Sequence, residues 1–136
     1  MAKTRKNHRH TKRHTLIKKN ETMQLKAVKA QNRALMMALS KRTTSWKKAV
    51  ADNEKLQLKQ IRQQNEKLIS TLKNARYGNM SAAKHRMVVQ LNADRAQNKI
   101  LFKTIKAHPR SWRGAVNRRL KTQLKAVRAQ DNAIMH

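Results

Sequence analysis

A cation recurs in this chain at a fixed interval. Lys29, Arg62, Arg95 and Arg128 each hold the sixth place of a nine-residue stretch that opens Gln-Leu and repeats Gln at its eighth place. The stretches run from Gln24 to Asn32, Gln57 to Asn65, Gln90 to Asn98 and Gln123 to Asp131, one every 33 residues. Spacing of that kind marks a duplicated structural unit. The chemistry open to these residues is electrostatic: Lys and Arg neutralise phosphate oxygens, and neighbouring Gln or Asn donate to phosphates or base edges. On a helix, Lys26, Lys29 and Arg33 share one face, as do Lys59 with Arg62, Arg95 with Lys99, and Lys125 with Arg128. Ordinary charged helix faces carry acids at the same spacings. Here 34 Lys and Arg stand against 6 Asp and Glu, a net charge of +28, so their mutual repulsion is left for an external polyanion to relieve.

Catalysis finds no comparable set. The acids Glu21, Asp52, Glu54, Glu66, Asp94 and Asp131 are scattered, and Asp52 and Glu54, two apart, point to different helix faces. There is no phosphate-cradling Gly-rich loop, no nucleophile elbow and no His-Glu-x-x-His motif. Without cysteine, disulfides and thiolate ligands are excluded. His8, His10 and His14 lie in a cationic stretch that disfavours divalent ions. The expectation is a protein that is not an enzyme and holds neither cofactor nor metal.

The elements that carry the cations follow from composition. The first 14 residues are basic, free of acids and nearly free of apolar side chains, which reads as a disordered arm. Its Arg5, Lys6, Arg9, Lys12 and Arg13 join the expected nucleic-acid contacts, and its clusters resemble a nuclear-import signal. From residue 15 to 136 the chain is rich in Ala, Leu, Lys, Arg, Gln and Met, with 2 Gly and 1 Pro, and reads as one helical repeat domain. Breakers at 42–45, 77–81 and 107–111 divide it into four helices at about 15–41, 46–76, 82–107 and 112–135. Ser45, Ser81 and Ser111 are suited to N-caps and Gly78 to a left-handed C-terminal position. The fold class is all-α: 33-residue repeats forming antiparallel helical hairpins or a coiled-coil-like bundle. A second similarity, 66 residues long, pairs Ser45-Trp46 with Ser111-Trp112, whereas Gly78-Asn79 at the intermediate place has no indole.

Apolar residues at spacings of three and four give each helix a seam: Leu25, Val28, Leu35 and Leu39; Leu58, Ile61, Leu68 and Leu72; Leu91, Leu101 and Ile105; Leu124, Val127 and Ile134. Asn32, Asn65, Asn98 and Asp131 interrupt it at one place, and the three asparagines either meet in one buried amide layer that fixes register or lie at an exposed edge of the seam. Trp46 and Trp112 are expected to close the bundle end rather than stack on bases. No segment approaches a membrane span of roughly 18 apolar residues.

Taken together, these residues point to neutralisation and packaging of nucleic acid, DNA ahead of RNA, through backbone contacts, in a nucleus, nucleoid or virion core. A ribosomal or other ribonucleoprotein component is one alternative. A coiled-coil scaffold forming homo-oligomers through the Leu/Asn seams is another.

Overall fold

The computed structural model describes the backbone of residues 2–42, 45–76 and 80–135, and within these the side chains from Lys12 onward. It is all-helical: α1 (Ala2–Lys41), α2 (Trp46–Asn74), α3 (Met80–Ala107), a 3-10 turn (Pro109–Ser111) and α4 (Trp112–Met135). The expected starts of α2 and α4 and ends of α1 and α3 coincide with the observed ones, because the breakers leave the chain no other place to turn.

Three local expectations change. Lys12, Arg13 and His14, assigned to a disordered arm, belong to α1. His14 Nε2 donates to the carbonyl of Met135 at 2.9 Å, which ties this stretch to the end of α4. The side chains of Arg5, Lys6 and Arg9 lie outside the described residues. Ser45 does precede α2, but only its backbone carbonyl accepts, from Ala49 N at 3.0 Å, and its hydroxyl makes no cap bond. Ser81 sits inside α3 and Ser111 in the 3-10 turn.

Each helix packs on two neighbours, α1 and α3 both touching α2 and α4. Two apolar clusters lie at opposite ends. One joins Leu35 and Leu39 of α1, Ala49 and Val50 of α2, Leu101 and Ile105 of α3, and Ala115 and Val116 of α4, with Trp46, Phe102 and Trp112 packed on it. The other joins Ile17, Leu68, Leu72, Ala83, Ile134 and Met135. Together these are most of the buried apolar side chains, so the hydrophobic driving force acts at the ends and leaves the middle to other interactions.

Gly78 lies outside the described residues, and arginines adopt the left-handed backbone seen here: Arg42 (φ 54°) just after α1 and Arg76 (φ 57°) after α2. Arg76 N donates to Lys73 O at 3.1 Å, one turn back. This backbone costs a residue bearing a Cβ about 1–2 kcal/mol. Arg76→Gly should therefore raise the midpoint of thermal unfolding by a few degrees, about 0.5–1 kcal/mol, whereas Arg76→Ala, losing the same charge and keeping the Cβ, should not. Calorimetry on the two variants checks this.

Candidate nucleic-acid interface

What holds the exposed cations in place is a polar core. The apolar clusters are joined through the middle by a buried set of Asn, Gln, Arg and Asp. Its positions recur at the sequence repeat: Asn20, Asn53, Arg86 and Arg119 lie 33 residues apart, each four residues before Gln24, Gln57, Gln90 or Gln123. All eight are buried. One helical turn separates the members of each pair, so both point the same way.

Two guanidinium groups organise this core. Arg119 of α4 donates through Nε and Nη2 to Asn32 Oδ1 at 2.9 and 2.8 Å, through Nη1 to Asn98 Oδ1 at 2.6 Å, and through Nη2 to Asn53 Oδ1 at 2.7 Å. One side chain thereby binds the other three helices. Arg86 of α3 does the same toward the other end, with Nε on Asn65 Oδ1 and Nη2 on Asn20 Oδ1, both at 2.7 Å, and Nη1 on Asp131 Oδ1. The planar fork of arginine suits this task, since its donors diverge in one plane.

The amides have their nitrogens engaged too, which fixes their orientation. Asn32 and Asn65 Nδ2 donate to Val28 O and Ile61 O at 2.8 and 2.7 Å, while Asn98 Nδ2 donates to Asp94 O at 2.8 Å. Each also reaches a glutamine: Gln123 at 2.9 Å, Gln90 at 2.7 Å and Gln57 at 3.0 Å, respectively. The glutamines pair in turn, Gln24 with Gln90 and Gln57 with Gln123. The expected single amide layer is thus corrected. Asn32 and Asn98 surround Arg119, whereas Asn65 belongs with Arg86, because each guanidinium draws the acceptors nearest it. The middle seam changes accordingly: Gln24, Gln57, Gln90 and Gln123 enter the core, and the adjacent Leu25, Leu58, Leu91 and Leu124 are half-buried beside them.

Burial of charge is expensive unless matched. Asp131 pairs with Arg86, and Asp94 accepts from Gln123 Nε2 and Asn98 Nδ2 at 3.0 Å within the field of Arg119. Desolvation nevertheless outweighs attraction. It pushes Asp94 up to about 7 against the pull of Arg119, and Asp131 up to about 6 against that of Arg86. It also lowers Arg119 to about 10, which leaves the guanidinium charged at neutral pH. Burial lowers Arg86 as well.

Two buried arginines face two buried aspartates, and no other Lys or Arg of the described residues is buried. Lys26, Lys29, Arg33, Lys59, Arg62, Arg95, Lys99, Lys125 and Arg128 are all exposed or half-buried, distributed over the four helices. Lys12 is exposed and Arg13 half-buried. No exposed Lys or Arg pairs with a carboxylate among the described residues. Sequence spacing locates these cations but misses Arg86 and Arg119, which hide among 34 basic residues. The signal that finds them is the repeat extended four residues upstream of each Gln-Leu. No helix of the described residues is long and apolar enough to cross a membrane.

Arg119→Met should destabilise the fold by about 3–5 kcal/mol, because it strands the acceptors of Asn32, Asn53 and Asn98 and leaves Asp94 unmatched. Arg62→Met, at an exposed site, should change stability by no more than about 0.5 kcal/mol. Urea unfolding followed by circular dichroism separates the two. Folding raises the Asp94 pKa from an ordinary value near 3.9. The folded chain therefore holds more protons than the unfolded chain between about pH 4 and 7, and this residue's contribution to stability falls as pH rises through that window. Relative to the parent chain, Asp94→Asn should gain ~2–3 kcal/mol between pH 5 and pH 8; an unchanged difference would mean an ordinary carboxyl. Comparison with protein-family models, with curated proteins and with solved structures gives no match to this chain.

Proposed function

We propose that this chain is a non-enzymatic nucleic-acid-binding protein that neutralises and packages DNA, or RNA, by contacts to the phosphate backbone. In this reading its helices form two antiparallel hairpins derived from the repeated 33-residue unit. The end clusters support that topology, since each gathers the end of one helix and the start of the next. One observation carries the function: the interior sets two aspartates against its two arginines, while every repeat cation stands unpaired on the outside. Such a surface repels itself, and a phosphate array relieves it with release of condensed counterions. The contact requires charge and spacing rather than a pocket, which suits a chromatin-like, nucleoid or virion-core role. A scaffold assembled through the Leu/Asn seams has less support, because those amides are engaged within one chain.

The test is fluorescence anisotropy with labelled duplexes over a series of salt concentrations. Affinity should fall steeply with salt, at about 0.9 in logarithmic slope for each phosphate neutralised, and differ little between duplex sequences. Changing Lys29, Arg62, Arg95 and Arg128 together to Glu should weaken binding by about 100-fold or more and lower the slope by about 3–4. Helicity should persist, since these side chains lie outside the buried network. Salt-insensitive binding would overturn the reading, and retained affinity in the Glu variant would move the contact to the basic residues before Thr15.

A further inference from the structure

The two ends of the bundle differ chemically. Both have an apolar plug, but only one carries indole rings. The places 33 residues before Trp46 and before Trp112 are Arg13 and Asn79. The plug around Ile17, Leu68 and Leu72 is thus assembled without tryptophan, so closing a bundle end does not explain why Trp46 and Trp112 occur at the other.

Around those rings lies a recess of about 490 Å³. That volume is within the range of small-ligand sites, roughly 300–1,000 Å³. Leu39 and Ile105, 7% and 1% exposed, belong to both the recess lining and the apolar plug beneath it. Trp46 and Trp112 line it and are only partly buried. Trp46 is braced by Phe102, ring centroids 5.0 Å apart at 47°. The exposed Arg42 and Arg110 complete the rim. Further cations accompany the rings: Lys47 Nζ lies 5.8 Å from the Trp46 centroid, and the Arg113 guanidinium 5.0 Å from that of Trp112. No carboxylate of the described residues lines the recess.

Aromatic walls, an apolar base and guanidinium groups without acids select a ligand that is planar and apolar at one end and anionic at the other. An unpaired nucleobase with its flanking phosphates has that form. A duplex keeps its base faces stacked inside, whereas a single strand presents them. We propose that this recess captures one unpaired base of a single-stranded nucleic acid between the indole side chains, with the adjoining phosphates on Arg42 and Arg110. The assignment rests on the nucleic-acid reading above and adds to it a preference for single-stranded ends or gaps.

Trp46 and Trp112 are the chain's 2 tryptophans, so fluorescence excited at a wavelength that Tyr77 does not absorb reports on the recess. Full-length protein is titrated with an oligothymidine, an abasic sugar-phosphate strand of equal length and a blunt duplex, each labelled so that anisotropy records binding independently. All three should raise anisotropy, and only oligothymidine should quench the tryptophans substantially. The double variant Trp46→Leu/Trp112→Leu should bind oligothymidine about ten-fold more weakly, approaching the abasic strand. Arg42→Ala/Arg110→Ala, which leaves the plug intact, should lower affinity for oligothymidine more than for duplex and remains decisive if the tryptophan variant loses helicity. Oligothymidine that binds without quenching, abasic strand that quenches equally, or an arginine variant weakened alike for both ligands would each overturn the recess while leaving backbone binding in place. No anisotropy change with any ligand would remove both proposals.

Discussion

Two guanidinium ions kept out of water set the terms for this fold. A buried arginine is tolerable only when its donors and its charge are answered, and here the answers come from every helix. Arg119 reaches Asn32, Asn53 and Asn98, and Arg86 reaches Asn20, Asn65 and Asp131. Because these bonds are directional, they fix the height and rotation of each helix in a way that interchangeable aliphatic contacts do not. The apolar plugs at the two ends supply the non-directional part of the stabilisation. Adhesion and alignment are thus assigned to different regions of the same bundle.

That division accounts for how a chain of such one-sided charge keeps a compact interior. Asp94 and Asp131, a third of the 6 acids, lie inside, where they match the two buried arginines. The outer surface is then left almost without negative charge, and its helices repel one another at low ionic strength. A polyanion that preferred the folded surface would relieve this repulsion and stabilise the bundle by mass action.

Helix ends are legible in the sequence because Gly, Pro and Ser clusters leave little choice of turning point. The outward placement of Lys29, Arg62, Arg95 and Arg128 is legible from spacing alone. Leu35, Leu39, Leu68, Leu72, Leu101, Ile105, Val127 and Ile134 take their expected buried places. The middle of the core is not legible, since hydrophobic periodicity assigns Gln24 and Arg119 to solvent on residue type. Only their recurrence at a fixed interval distinguishes them from surface residues. Asp94, conspicuous as the acid that replaces Val28, Ile61 and Val127 of the other copies, makes sense only once Arg119 is known to be buried.

Departures from the repeat come in matched sets. At one position the first two copies have Asn and the last two have Arg, and the acids that break the pattern elsewhere, Asp94 and Asp131, fall in those same two copies. A chain with asparagine at the places of Arg86, Arg119 and Asp131 and an aliphatic residue at that of Asp94 would be uncharged within, so either innovation by itself would leave an ion stranded in a low-dielectric interior. Divergence of such copies is therefore a concerted process, in which a substitution that is damaging alone becomes acceptable only beside its electrostatic complement, and the order in which the pair arises is restricted to the less harmful first step.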